Sequence, residues 1–120
     1  MNKTSTLLKR HLKVIKDFPK KGINFQDIFS ITKKPDIFNL IIKEISKVIK
    51  DNSITKVVGI EARGFLFGMT AANNNKLPFV PIRKAGKLPG EVRKLKYKLE
   101  YGHDVIEIQS SSIKKSDKIL

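Results

Sequence analysis

Apolar residues recur along this chain in two different periods, and the switches between them mark out its elements. Leu8, Leu12 and Ile15 fall at i, i+4 and i+7 with lysines on the other side, which predicts a first helix over residues 6–18. Between residues 35 and 50 the same period is clearer. Phe38, Ile41, Ile42, Ile45, Val48 and Ile49 trace one helical face, Lys43, Glu44, Lys47 and Lys50 lie outside it, and Pro35 suits the first helical position, where its missing N–H costs nothing. The period then changes. Val57, Val58 and Ile60 form a β-branched run without polar alternation, the pattern of a strand covered on both faces of a parallel sheet, and Phe65, Leu66 and Met69 return to helical spacing up to Asn75. Phe79 to Arg83 reads as a second sheet strand, with Pro81 placing it near an edge or bulge. Tyr97, Leu99 and Tyr101 alternate with Lys98 and Glu100, Gly102 and His103 turn the chain, and residues 104–109 return, which predicts an antiparallel hairpin. Ser110 to Lys118 is a polar turn, and Ile119 and Leu120 open another apolar run. Helices alternating with strands place the chain in the α/β class.

Composition adds bounds to that pattern. With 120 residues, 40% hydrophobic and 30% charged, the chain suits a single globular domain, 1–120. No apolar run approaches a membrane span, and the start leads into an amphipathic segment rather than a signal-peptide block, so a cytoplasmic protein is expected, with no membrane partner. Absent cysteines exclude disulfides and thiolate metal sites. A net charge of +14 would ordinarily point to nucleic acid. Here the basic residues are scattered over nearly every segment, Lys, Ile and Asn are abundant together, and no RNA-recognition motif occurs, so no nucleic-acid partner is expected. The arginines carry more information. Only Arg10, Arg63, Arg83 and Arg93 of 25 basic residues are not lysine, and Arg63 and Arg83 follow strands, where a forked donor has a use.

Candidate chemistry gathers where the first sheet strand stops, because ligands of open α/β sheets collect at the carboxyl ends of strands. Gly64 lets backbone approach an anion, the helix start offers free N–H groups, and Arg63 supplies a planar two-pronged donor. An ordinary strand-to-helix turn with a surface arginine explains the same residues equally well. The segment from Lys84 to Lys94, basic and interrupted by Gly86, Pro89 and Gly90, is a mobile loop that suits a lid over phosphate. Between Phe18 and Ile28 lies a turn-rich loop whose Phe25 offers a stacking face for a flat ring, or else anchors the core. Glu100 points away from the aromatic face of its hairpin. His11 has no second histidine or carboxylate at a metal spacing, and no metal ligand is assigned.

From about Asp17 to Leu120 these stretches resemble the adenine phosphoribosyltransferase family. The resemblance rests on Asp17-Phe18-Pro19, on residues 22–28 (Gly-Ile-Asn-Phe-Gln-Asp-Ile), on residues 61–68 (Glu-Ala-Arg-Gly-Phe-Leu-Phe-Gly), on residues 80–90 beginning Val-Pro-Ile-Arg-Lys, and on Leu99-Glu100-Tyr101-Gly102. It implies a type I phosphoribosyltransferase-like parallel sheet flanked by helices, with a small hood. It also implies conversion of adenine and 5-phosphoribosyl 1-pyrophosphate to AMP and pyrophosphate in purine salvage, by a cytoplasmic homodimer, with magnesium carried on the substrate. By the same resemblance Phe25 stacks on adenine, and the backbone of Asn24 and Gln26 reads its edge, arginine often standing where Gln26 does. Arg63 and Gly64 bind pyrophosphate, Arg83 reaches it from the neighbouring subunit, and Lys84 and Lys87 support it from the lid. Glu100 manages a proton on the imidazole side of adenine, and Tyr101 closes over the site. A non-proline cis peptide between Glu61 and Ala62 is implied as well.

One family element has no counterpart in these residues. The strand ending in two adjacent acidic residues, followed by a glycine- and threonine-rich loop that grips the ribose 5-phosphate, would begin at Ile119 and Leu120, and Ser116 replaces the glycine usual in the preceding turn. The expectation is therefore an incomplete, truncated domain with little or no turnover of its own, the alternative being a non-catalytic remnant or purine-binding regulator.

Overall fold

A computed structural model describes residues 3–120; Met1 and Asn2, the first residues of the start segment considered above, lie outside the described residues. The chain divides into two compact units, the first ending at Ile45 and the second running from Ser46 to Leu120.

In the first unit, helix α1 (Lys3–His11) is followed by strand β1 (Lys13–Ile15), a second short strand β2 (Phe25–Asp27), a single helical turn α2 (Phe29–Thr32) and the start of the long helix α3 (Pro35–Asp51). The first helix thus stops well short of residue 18. Val14 and Ile15 are β-branched, and instead of extending the helix they pair antiparallel with β2, Val14 opposite Gln26 and Ile15 opposite Phe25. The intervening turn is tightly bonded. Asp17 adopts a positive φ of 54°, its Oδ1 accepts from Gly22 N at 2.8 Å, Phe18 N donates to Ile23 O at 3.0 Å, and the Phe18–Pro19 peptide is cis. Helix α3 carries Asp36 in its first turn and Lys50 in its last, charges that complement the helix dipole, and buries Ile42 and Ile49.

In the second unit, strands β3 (Val57–Ile60), β4 (Phe79–Lys84), β5 (Val92–Lys98) and β6 (His103–Gln109) form one sheet in the order β3-β4-β6-β5. The sheet is mixed rather than wholly parallel: β3 and β4 are parallel, joined through helix α4 (Arg63–Asn74), and β4 meets β6 antiparallel only at Arg83 and Lys84. That late pairing explains Pro81. Val57 N donates to Pro78 O and Glu61 N to Ile82 O, so even-numbered β4 residues face β3, and Pro81 turns its missing N–H toward the side where pairing has not begun. Val57, Ala71, Ala72 and Val80 are buried between helix and sheet. Beyond β6 the polar turn is anchored to the other side of β3. Asp117 pairs with Lys56 at 2.9 Å and accepts from Lys114 N at 2.7 Å, and Ile119 bridges parallel to Lys56, with Val58 N donating to Leu120 O at 2.8 Å.

The hairpin is present but its turn lies elsewhere. The β5 strand begins at Val92 and ends at Lys98, opposite His103, so Leu99, Glu100, Tyr101 and Gly102 form the loop and His103 belongs to the return strand. Leu99 N donates to Gly102 O at 2.8 Å, and Gly102 takes a φ of 91°, a conformation that glycine adopts without steric cost.

Candidate active site

Three glycines bring α4 down onto the sheet. A Cβ on Gly59 would lie 2.7 Å from Gly64 O and 2.8 Å from the Phe79 ring, one on Gly68 would lie 2.7 Å from that ring, and one on Gly64 would meet the Gly59 backbone at 3.3 Å. Gly64 therefore serves helix-to-strand packing, a reason the sequence reading did not contain. Phe65 meets Phe79 edge-on with ring centroids 5.7 Å apart. This close packing sets α4 to begin directly after β3, and Arg63, its first residue, is exposed at the helix N-terminus beside the cis Glu61–Ala62 peptide. The free N–H groups of that terminus and the guanidinium together form an anion-attracting corner.

The turn after β4 projects from the same end of the parallel pair, because Glu61 N bonds Ile82 O at 3.0 Å. Its cations are not loose. Glu61 Oε2 accepts from Arg83 Nη2 and from Lys87 Nζ, each at 3.2 Å, while Glu61 Oε1 accepts from the Lys84 backbone N–H. That N–H, foremost, and the two cations hold the Glu61 carboxyl down to about 2. Lys84 Nζ turns instead to Asp104, which also accepts from Tyr97 OH at 3.1 Å. The Lys84 bond lowers the Asp104 carboxyl and in return raises the Lys84 ammonium. Ala85 N reaches Val105 O at 3.2 Å, and Gly86 N reaches the buried Glu107 carboxylate at 2.6 Å. Residues 84–87, expected as the beginning of a mobile loop, instead close β4 and form a turn pinned by Glu61, just beyond β3, and by Asp104 and Glu107 of β6.

In the first unit, Phe25 is half-buried and meets Phe18 edge-on with centroids 5.1 Å apart, while Asn24 and Gln26 are exposed. Gln26 lies within a strand rather than a loop, so its backbone is ordered by pairing with Val14. Glu100 and Tyr101 stand at the exposed tip of the β5–β6 hairpin, Tyr101 at 85% exposure. Glu61, Tyr97, Asp104 and Glu107 were not singled out from sequence. A signal existed: with 11 acidic residues against 25 basic ones, an acid in or beside a strand is as informative as an arginine.

A mixed sheet whose parallel strand ends carry a helix N-terminus, an arginine and a second cationic turn defines an α/β protein with an anion-attracting strand end. No family model matches the chain. Curated relatives and solved structures do. The chain is 48% identical over 112 residues to adenine phosphoribosyltransferase of Clostridium botulinum (strain Hall), covering 93% of the chain and 65% of that relative. It superposes with a TM-score of 0.90 and 39% identity on adenine phosphoribosyltransferase of Saccharomyces cerevisiae in complex with adenine and an imino-altritol bisphosphate, over 97% of this chain and 68% of that one. A Trypanosoma brucei adenine phosphoribosyltransferase, bound to AMP, pyrophosphate and ribose-5-phosphate, matches with a TM-score of 0.87 and 26% identity, over 98% of this chain and 53% of that one. The chain belongs to the adenine phosphoribosyltransferase family, and it spans about 65% of the length of the first curated relatives it matches.

Proposed function

We propose that these residues supply base and pyrophosphate recognition for the reaction of adenine with 5-phosphoribosyl 1-pyrophosphate to AMP and pyrophosphate, a purine-salvage step carried out in the cytoplasm by a homodimer. Phe25 takes the adenine ring on its face, and the backbone of Asn24 and Gln26 reads the ring edge. Arg63, with Gly64 and the other N–H groups at the start of α4, receives the pyrophosphate as it leaves. Lys84 and Lys87 add positive charge from the pinned turn, and Arg83 extends it toward the neighbouring subunit. Magnesium arrives on the phosphoribosyl pyrophosphate. Glu100 manages the proton on the imidazole side of adenine while the glycosidic bond forms, and Tyr101 excludes water. Such a reaction needs preorganised cations for its anionic leaving group and a dry site for its cationic ribosyl centre.

The observation that carries this reading is the joining of the two cationic turns at one strand end through Glu61, which bonds Ile82 by its backbone and Arg83, Lys84 and Lys87 by its carboxylate. Calorimetric titration with magnesium pyrophosphate tests it. Arg63→Gln is expected to weaken binding by about 10- to 100-fold, the scale of a hydrogen bond to a charged group. Equal affinity in the two proteins would remove Arg63 from the pyrophosphate site.

A further inference from the structure

Glu107 is the one charged residue that is buried among the described residues, at 3% exposure. A buried carboxylate is costly unless its oxygens are satisfied. Its Oε1 accepts from Gly86 N at 2.6 Å, and Gly86 sits at a φ of 82° in the turn between Lys84 and Lys87. Directly opposite Glu107 in the β4–β6 ladder is Arg83, whose Nε is buried without a partner. Glu61 grips the same turn from the other side, through Lys84 N and the Arg83 and Lys87 side chains.

We infer that Glu107 is a positioning residue for the anion-binding turn, fixing the Gly86 peptide and thereby the directions in which Arg83, Lys84 and Lys87 leave the backbone. It touches no substrate. Its effect passes through one hydrogen bond between a fixed strand and a turn whose Lys84 and Lys87 serve one anion while Arg83 reaches toward the neighbouring subunit, and preorganised donors are worth more than mobile ones. The inference rests on the assignment of that turn to pyrophosphate.

Two substitutions separate this role from a merely structural one. Glu107→Leu removes the acceptor while filling the space, whereas Glu107→Gln retains an oxygen for Gly86 N–H. In the 120-residue chain, titrations with magnesium pyrophosphate and with adenine are paired with amide exchange at Gly86. Glu107→Leu is expected to weaken pyrophosphate binding about tenfold and to speed exchange at Gly86, with adenine affinity unchanged; Glu107→Gln should come within about threefold of the parent. If Glu107→Leu does not fold, Glu107→Gln still decides: a loss of about two- to threefold for pyrophosphate alone together with an upfield move of the Gly86 amide supports the role, and parental pyrophosphate affinity or an unmoved Gly86 amide overturns it. Wild-type pyrophosphate affinity in Glu107→Leu despite a deprotected Gly86, or equal losses for adenine and pyrophosphate, overturns the positioning role alone. A parent chain that binds no pyrophosphate overturns the assignment of the turn itself, and the role with it.

Discussion

The roles proposed for Phe25 and Glu100 make different predictions. A stacking ring contributes ground-state affinity, so Phe25→Ala is expected to weaken adenine binding by about 1 to 3 kcal/mol in a calorimetric titration, the range for bases stacked on aromatics. Phe18, edge-on to Phe25 at 5.1 Å, holds that ring at its angle. Glu100 stands in an exposed turn, where a glutamate without chemistry could be replaced almost freely. Glu100→Gln should instead lower kcat by about 10² to 10⁴ with little change in adenine affinity, measured in a chain that continues through the ribose-phosphate segment; normal turnover would take Glu100 out of the mechanism. At this scale the sequence was legible for arginine and opaque for carboxylate. Arg63 and Arg83 stood out by rarity and by their place near strand ends, although Arg83, expected in a turn after its strand, belongs to β4 itself and pairs with Glu107. Glu61 did not, because its meaning lies in partners 22 to 26 residues away, which only the pairing of β3 with β4 brings within reach.

Helical and strand periods located α3, β3, α4 and β4 because each is long enough, or apolar enough, for its pattern to dominate. The failures came where three residues decide. Ile15 continues the helical spacing of Leu8 and Leu12, and only the distant β2 strand draws it and Val14 into a strand. The hairpin turn was misplaced because alternation through Tyr101 reads as strand, whereas the Leu99 to Gly102 bond closes the loop earlier. The packing of α4 on β3 gives a direct test. Gly68→Ala would place a Cβ at 2.7 Å from the Phe79 ring, and is expected to cost about 1 to 3 kcal/mol by urea denaturation, the usual range for overpacking. A neutral Gly68→Ala would show that the ring has room to move. The charged links predict a pH dependence. Glu61 and Asp117 fall to about 2 from 4.5 and 3.8, so the native state binds fewer protons than the unfolded chain. Their stabilisation is complete above about 4.5 and is lost as pH falls toward about 2. Urea midpoints across that window should decline, and Glu61→Gln should flatten the decline; an unchanged slope would contradict the bonding of Glu61.

Across the whole molecule, several separated motifs in one order carried the family, and 39% identity with a TM-score of 0.90 agrees with them. Bulk charge pointed elsewhere, since +14 reads as an affinity for polyanions until its even spread along the chain is noticed. Within these 120 residues lie the turns assigned to adenine and pyrophosphate; a ribose-phosphate loop with its acidic pair does not. Orienting a sugar phosphate can supply roughly 7 to 11 kcal/mol of barrier reduction in well-aligned systems, so recognition without that loop should not become turnover. The deciding measurement follows radiolabelled adenine into AMP, with phosphoribosyl pyrophosphate and magnesium, for the 120-residue chain beside one extended by a family-like carboxyl-terminal segment. AMP from the extended chain and little or none from the 120 residues alone is the predicted result. Robust magnesium-dependent AMP formation by the 120 residues, or none by an extended chain that folds, would contradict it.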